Sequence, residues 1–364
     1  MRVLVAPDKF AGTLTAVEAA RAIADGWARR APQDELDLAP MADGGPGFVD
    51  VLHEALGGEL VAVTVRGPHG DPVPGAVLLK GRRAWVESAQ ACGLALTGGE
   101  RAESASTWGV GELVAHALDA GATDLVVGLG GSGTNDGGVG LLGALGATAD
   151  RPLDRGVAGL AGVTRLDLGP ARAKVAGVGL TCATDVDSPL TGLFGATKTF
   201  GPQKGITEER LPAVDGILEE LAAATDRRTS LEKGAGAAGG LGFALLLLGA
   251  ARRPGFDVVA DAVGLVDRAR AADLVVTGEG AFDWQSLRGK VVAGVAQAAL
   301  AAAIPTVVIA GQTMVGRREA MTLGLSGTYA VAETPEQVEA AVADPVGTLA
   351  ARTARVATTW SPNR

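Results

Sequence analysis

The sequence has few cysteines, no excess of positive charge and no long hydrophobic run. Two of its 364 residues are cysteine, Cys92 and Cys182, too few for a disulfide framework and without the spacing of a zinc site. Acidic residues outnumber basic ones by 41 to 32, and the net charge of −9 argues against nucleic acid and anionic membranes as partners. The first hydrophobic run, 3–6, is too short for a signal peptide, and no later unbroken run could span a bilayer. These absences predict a soluble, cytoplasmic protein.

Glycine, in contrast, is abundant. It accounts for 54 residues, roughly twice its usual share of about 7 %. Because 47 % of the residues are hydrophobic and no Gly-X-Y repeat occurs, neither disorder nor a collagen helix explains the glycines. A length of 364 residues predicts two domains with a large core. We therefore expect many of the glycines in the turns of a folded, two-domain protein.

Hydrophobic patterns predict alternating strands and helices along most of the chain. A capping box of Thr15 and Glu18 opens a predicted helix at 15–31. The segment 59–86 is rich in turn formers and predicts antiparallel strands. Other strands are predicted at 3–6, 36–39, 125–127, 175–180, 274–276 and 307–309, and other helices at 48–55, 110–117, 208–224 and 291–303.

This order of elements is typical of an α/β protein. The βαβ pattern at both ends of the chain predicts a Rossmann-like domain with a doubly wound parallel sheet, formed by 1–64 and 266–364. The central part, 65–265, is predicted to be a second, inserted domain of mixed α/β structure.

Acidic or amide side chains follow five of the predicted strands. Each alone could be a helix N-cap or a turn residue. The carboxyl ends of parallel strands, however, form the crevice in which such sheets bind ligands. Five occurrences together therefore predict a ligand site, and its side chains are those of Asp8, Asp43, Asn135 with Asp136, Asp185 with Asp187, and Glu279 with Asp283.

The glycines beside these acids can form nests of backbone N–H groups that bind anions. Carboxylates next to such a nest would repel a phosphate unless a cation lies between them, so the pattern predicts Mg²⁺ with a phosphorylated substrate. Lys9, Lys204 and Lys290 could add positive charge, although each could equally be a solvated surface lysine. Lys290 opens a predicted helix, where the dipole disfavours a cation unless an anion is bound.

Familiar catalytic motifs do not account for this pattern. No Walker A, H-E-x-x-H or G-x-S-x-G motif occurs. The run 128–133 satisfies G-x-G-x-x-G, but the turn continues to Asp136 before a helix is predicted, unlike a dinucleotide-binding turn. None of the three histidines falls in the acidic turns, which leaves an aspartate as the candidate general base.

The same turns resemble the signature motifs of one family, the type-I glycerate kinases. The matching segments occur in the family's order and cover nearly the whole chain. They are APDKF (6–10), GTLTA (12–16), MADGG (41–45), GLGGSGTNDGG (128–138), DVDSPL (185–190), FGPQKG (200–205), GAGAAGGLG (234–242) and GEG (278–280), the last followed by Asp283, Gln285, Ser286, Gly289 and Lys290.

The resemblance implies a two-domain enzyme that transfers the γ-phosphoryl group of ATP, with Mg²⁺ as cofactor, to glycerate and forms 2-phosphoglycerate. We predict Asp185 as the base for the acceptor hydroxyl, with Asn135 and Lys290 as further catalytic groups. The predicted metal ligands are Asp185, Asp136 and Glu279. Substrate and phosphate binding is expected at Asp8, Lys9, Asp43, Gly44, Gly45, Gly131, Ser132, Gly133, Thr134, Asp136, Gln203, Lys204, Glu279, Asp283, Gln285 and Ser286.

Two positions depart from the family pattern. Ala11 stands where a lysine usually follows Phe10, and Pro46 stands where a glutamate usually follows Asp-Gly-Gly. The changes fit either tolerant variation or an altered pocket, so a kinase for another small polyol or hydroxy acid stays an alternative. A nicotinamide oxidoreductase and a binding protein without activity are alternatives from other classes. A homodimer stays open as the assembly.

Overall fold

The computed structural model describes residues 1–288 and 291–361, and the chain divides into two units. The first unit comprises Met1–Asp43, Asp50–Leu56 and Phe256–Arg364. The second comprises Gly44–Val49 and Gly57–Gly255. The domain boundaries expected at 64/65 and 265/266 stay a prediction.

The described residues form both strands and helices throughout. The strands are β1 (Arg2–Val5), β2 (Glu35–Leu38), β3 (Glu59–Arg66), β4 (Pro72–Lys80), β5 (Arg83–Glu87), β6 (Asp124–Gly128), β7 (Thr148–Ala149), β8 (Leu166–Asp167), β9 (Gly179–Ala183), β10 (Ala251–Arg253), β11 (Leu274–Phe282), β12 (Thr306–Thr313) and β13 (Gly327–Ala330). The α-helices are α1 (Ala16–Arg30), α2 (Phe48–Leu56), α3 (Ala89–Cys92), α4 (Leu94–Thr97), α5 (Trp108–Asp119), α6 (Val139–Ala144), α7 (Gly169–Lys174), α8 (Ala196–Phe200), α9 (Leu211–Ala224), α10 (Arg227–Ser230), α11 (Ala237–Leu247), α12 (Gly255–Val263), α13 (Leu265–Arg270), α14 (Val291–Ala301), α15 (Arg317–Ala320), α16 (Pro335–Ala343) and α17 (Pro345–Trp360).

The first unit is built on five parallel strands in the order β2-β1-β11-β12-β13. Val3 of β1 lies opposite Leu36 of β2 on one side and Leu274 of β11 on the other. The strand order reverses between β1 and β11, because β1 leads to β2 in one direction and β11 leads to β12 in the other. Loops diverge at such a switch point and leave a crevice at the carboxyl ends of the strands. The predicted parallel sheet is confirmed.

The second unit is built on a mixed sheet in the order β3-β4-β5-β6-β9-β10. Strands β3, β4 and β5 pair antiparallel, which confirms the antiparallel segment predicted for 59–86. Strands β5, β6, β9 and β10 are parallel, so their carboxyl ends lie along one edge. That edge carries the loops 129–138 and 184–195, which contain most of the predicted site residues of this unit.

Helices pack on the first sheet through hydrophobic side chains that recur at helical spacing along their sequences. In α1, Ile23 and Trp27 are fully buried and belong to the core beneath the first sheet, together with Val356 of α17. The start of α1 is the predicted capping box, in which the Glu18 backbone N–H donates to the Thr15 hydroxyl and the Thr15 N–H donates to the Glu18 carboxylate. This local prediction is confirmed.

Three element predictions need correction. The strand expected at 175–180 starts only at Gly179, because α7 ends at Lys174 and Val175 caps it. The helix expected at 208–224 starts at Leu211, where a proline occupies the first turn, a position that proline favours. The strand expected at 274–276 runs on to Phe282, so Glu279 lies within β11 instead of following it.

Candidate active site

The first unit places two of the predicted acids at its switch point. The Asp8 N–H donates to the Gly278 carbonyl oxygen over 2.8 Å, which ties the loop after β1 to β11. Asp8 and Glu279 are both buried, with 6 % and 7 % of their surfaces exposed. The ammonium nitrogen of Lys9 lies 3.7 Å from a carboxylate oxygen of Asp8 and 3.9 Å from one of Asp43. The loops after β1 and β2 therefore form a cluster of two acids around one lysine.

The turn after β11 is held by two more of the predicted residues. One carboxylate oxygen of Asp283 accepts hydrogen bonds from the backbone N–H groups of Gln285 and Ser286, at 2.7 and 3.1 Å. The Asp283 N–H donates to the hydroxyl of Ser286, which is fully buried, while Gln285 is exposed. Asp283 and Ser286 thus fix the shape of this turn. Lys290, the predicted phosphate-binding lysine, lies outside the described residues.

In the second unit, the glycine-rich turn after β6 packs closely against the chain near α3 and α4. The Leu94 N–H donates to the Gly131 carbonyl over 2.7 Å, and the Gly133 N–H donates to the Cys92 carbonyl over 2.8 Å. Helix α6 begins only at Val139, after the whole turn. This geometry confirms that the turn continues past the G-x-G-x-x-G run before a helix begins, whereas in a dinucleotide-binding turn the helix opens within the motif.

Lys204, from the segment after α8, brings a buried cation to this turn. Its ammonium nitrogen donates to the Ser132 hydroxyl over 3.0 Å and to the Thr134 carbonyl over 2.7 Å, and only 2 % of the residue is exposed. Burial lowers the pKa of Lys204 to about 8, so the side chain is still mostly charged at pH 7. The neighbouring Gln203 is exposed. The direct hydrogen-bond partners of Lys204 are therefore uncharged, while the Asp136 carboxylate of the same turn attracts its positive charge without a hydrogen bond.

Asp136 shapes the turn from within the core. Its carboxylate accepts hydrogen bonds from the N–H and hydroxyl of Thr107, at 2.8 and 2.9 Å, and from the N–H groups of Gly138 and Gly140, at 3.0 and 3.3 Å. The residue is fully buried, and this burial raises the pKa of its carboxyl. Both oxygens of Asp136 are thus used by protein donors. The sequence pattern did not identify Thr107, which lies 29 residues away.

Asn135 and Asp185 lie on two neighbouring loops of the same edge. Asn135 is fully buried; its amide nitrogen donates to the Thr197 hydroxyl over 2.9 Å, while its side-chain oxygen accepts no hydrogen bond from the described residues. Asp185 is exposed on the loop after β9. A buried amide oxygen without a protein partner is available to a ligand. Thr197, like Thr107, carried no sequence signal.

Gly44 and Gly45 belong to the second unit, whereas Asp43 belongs to the first. Gly44 adopts a φ of +93°, and a Cβ atom there would lie 2.7 Å from the Ala183 carbonyl oxygen at the end of β9. Only glycine allows this approach. Glu87, which sequence reasoning also missed, fixes the following residues by accepting hydrogen bonds from the N–H groups of Gly47 and Val49. Pro46 is exposed, as is Ala11 in the first unit.

The described residues contain no group of three or more His, Cys, Asp or Glu side chains that could hold a metal ion. They also contain no activated thiol, since burial raises the pKa of Cys92 to about 12 and that of Cys182 to about 11. In the same part of the chain, no helix is long and apolar enough to cross a bilayer. The candidate groups of each unit are thus carboxylates, lysines and backbone N–H groups.

In each unit, residues of this kind at the carboxyl ends of parallel strands are typical of enzymes that position and neutralise phosphoryl groups. Comparison with protein families identifies which group of such enzymes the chain belongs to. Residues 3–361 match the model of the Glycerate kinase family, and the chain belongs to that family.

Relatives and a solved structure agree with this assignment. The chain is 40 % identical to a glycerate kinase of Haemophilus influenzae over 85 % of this chain and 86 % of that one. It is 36 % identical to the glycerate 2-kinase of Escherichia coli, with 85 % of each chain covered. A crystal structure of a protein assigned as glycerate kinase 2 from Salmonella typhimurium LT2 matches with a TM-score of 0.82 and 36 % identity, over 99 % of this chain and 98 % of that chain.

Proposed function

We propose that the protein is a cytoplasmic enzyme that phosphorylates D-glycerate with ATP and forms 2-phosphoglycerate. Membership of the Glycerate kinase family supports ATP and glycerate as substrates. The relative named glycerate 2-kinase supports transfer of the phosphoryl group to the hydroxyl at carbon 2 of glycerate. Nothing in the comparisons favours the alternative acceptor suggested by Ala11 and Pro46.

The observation that carries the proposal is the buried ammonium group of Lys204 in the glycine-rich turn after β6. Two of its three donors bind Ser132 and Thr134, which leaves a third donor for an anion. A fixed positive charge in a site that excludes water stabilises the negative charge of phosphate or carboxylate oxygens more strongly than it could in water. We assign Lys204 to this task, with the backbone N–H groups of 131–134 beside it.

The reaction then needs a base and an orienting group. The acceptor hydroxyl oxygen bonds to the γ-phosphorus, the bond between that phosphorus and the β-phosphate oxygen breaks, and ADP leaves with the electron pair. We assign Asp185 to accept the hydroxyl proton. The buried amide oxygen of Asn135 has no hydrogen-bond partner among the described residues. We therefore assign it to accept a hydrogen bond from a second hydroxyl group of glycerate. Asp136 is assigned to positioning, since its oxygens hold the turn.

Mg²⁺ fits this donor set as a companion of ATP. Magnesium is usually held by one or two carboxylates together with substrate phosphates, so it does not require a cluster of three acidic ligands. Asp185 is our proposed carboxylate ligand in the second unit and Glu279 the candidate in the first, and the ion would neutralise phosphate charge. The other predicted site residues remain proposed contacts of the substrates; they are Asp8, Lys9, Asp43, Asp283, Ser286, Gln285, Gln203 and Lys290.

The direct test is to incubate the protein with ATP, Mg²⁺ and D-glycerate and to examine the product by ³¹P NMR. We expect ADP and a phosphomonoester on the secondary hydroxyl, which couples to a single carbon-bound proton. A resonance that couples to two protons would show 3-phosphoglycerate and overturn the assignment of the position. Absence of any glycerate phosphate, with activity on another acceptor in a panel of hydroxy acids and polyols, would overturn the assignment of the substrate.

A further inference from the structure

The first unit contains a cavity of about 230 Å³ beside the carboxyl ends of β11 and β12. Phe10 and Leu14 from the loop after β1 line it, together with Gly280 of β11 and Gly311 of β12. Helices α16 and α17 complete the wall. All described residues that line the cavity are uncharged, and most are apolar.

Helix α16 covers the cavity without filling it. Val338, Ala341 and Val342 line the cavity, yet none of the residues of α16 is buried, and Val342 is 60 % exposed. An apolar helix face that leaves space beneath it gains stability when a ligand fills that space, because more apolar surface then leaves water.

One polar group of the wall is free to recognise a ligand. The Thr13 hydroxyl donates to the Phe10 carbonyl over 3.0 Å, and the Thr348 hydroxyl donates to the Asp344 carbonyl over 2.6 Å. The Gln312 side chain, by contrast, makes no hydrogen bond to any residue in the described part of the chain. An amide offers one donor group and one acceptor, the pair that matches the amino group and ring nitrogen of adenine.

Charged residues adjoin this uncharged cavity along the chain. Lys9 directly precedes Phe10, and Glu279 directly precedes Gly280. The cavity is smaller than the roughly 300–1,000 Å³ of a site for a whole drug-sized molecule, so it suits only a part of such a ligand. A flat apolar ring joined to a charged group meets both conditions.

We propose that this cavity binds the nucleobase of the phosphoryl donor, an inference that rests on the proposed function. The apolar side chains of Leu14, Val338 and Ala341 contact the faces of the ring, and the Gln312 amide pairs with its edge. The location agrees with the general rule that open parallel sheets bind nucleotides beyond the carboxyl ends of their strands, at the switch point.

The test compares two tryptophan substitutions on the same helix. Ala341 lines the cavity, whereas Ala340 is exposed and does not line it. We expect Ala341→Trp to raise the Kd for ADP at least tenfold in isothermal titration calorimetry, because the indole occupies the space of the base. Ala340→Trp should bind ADP like the wild type. Equal ADP affinity of both variants and the wild type overturns the proposal.

A second variant decides the matter if Ala341→Trp does not fold. Gln312→Leu removes the amide and should raise the Kd for ADP about threefold to thirtyfold, with little change in the KM for D-glycerate; an unchanged Kd overturns the proposal. The proposed function is tested separately by the wild type. If the wild type phosphorylates glycerate while the variants bind ADP normally, only the proposed binding site of the nucleobase is wrong. If the wild type neither binds ADP nor transfers phosphate, the proposed function is wrong as well.

Discussion

The ammonium nitrogen of Lys204 lies 3.0 Å from the hydroxyl oxygen of Ser132, although the two residues are 72 positions apart. Both lie in glycine-rich turns, and both are almost completely buried, at 2 % and 6 % exposure. Burial removes most of the water around the lysine, which costs free energy. The hydrogen bonds to Ser132 and Thr134 offset part of that cost. This arrangement is costly for stability and is therefore expected to serve anion binding.

Replacing Lys204 by methionine removes the charge and keeps most of the side-chain volume. We expect Lys204→Met to lower kcat/KM for glycerate by about 10²–10³, the size typical for loss of one fixed donor to the developing charge. Steady-state kinetics measure the effect. Lys174→Met, which changes an exposed lysine paired with Asp119, is the matched control and should stay within about twofold of the wild type. Equal kinetics of the two variants would remove Lys204 from the site.

The lowered pKa of Lys204 also predicts a pH dependence. The side chain loses its proton as the pH rises through about 8, so the charged form that binds the anion disappears above that value. We expect log kcat/KM to fall with a slope near −1 above about pH 8. The Lys204→Met variant should lack this limb. A profile of the wild type that is flat to pH 9.5 would contradict the assignment.

Asp185→Asn tests the proposed base. The amide cannot accept the hydroxyl proton, so we expect kcat to fall by about 10²–10⁴. Asp119→Asn is the control, because Asp119 lies outside the predicted site and pairs with Lys174 at the surface. If Asp185→Asn keeps the kcat of the wild type, another group accepts the proton or none is needed.

The kinds of side chain at the candidate site could be predicted from the sequence, because strands and glycine-rich turns are recognisable from short stretches of sequence. Asp8, Asp43 and Asp185 indeed follow strands β1, β2 and β9. The partners that fix these turns left no pattern. Thr107 and Thr197 contact Asp136 and Asn135 across 29 and 62 residues, and only the folded chain brings them together. The error at 175–180 has a similar origin, since a hydrophobic run alone does not separate a helix end from a strand.

Asp136→Asn should reduce stability more than any surface substitution. The amide nitrogen of asparagine would face backbone donors where the carboxylate now accepts four hydrogen bonds. We expect the free energy of unfolding to fall by about 2–4 kcal/mol, since buried donors lose their acceptor. Urea denaturation measures it. Asp154→Asn, at an exposed position, should change it by less than about 0.5 kcal/mol. A shift below 1 kcal/mol for Asp136→Asn would mean that the turn does not depend on this carboxylate.

Gly239 lies against the turn that holds Lys204. Its φ is +68°, and a Cβ atom there would lie 2.0 Å from the Thr134 carbonyl oxygen, the same atom that accepts a hydrogen bond from Lys204. Gly239→Ala must therefore displace this carbonyl, and we expect both lower stability and a fall of about tenfold or more in kcat/KM. Gly249→Ala provides the control, because Gly249 has a φ of +89° but no atom within 4 Å of the added Cβ. It should show only the backbone strain of about 1–2 kcal/mol, with kinetics unchanged. Equal kinetics of the two alanine variants would show that the position of the Thr134 carbonyl does not matter for the reaction.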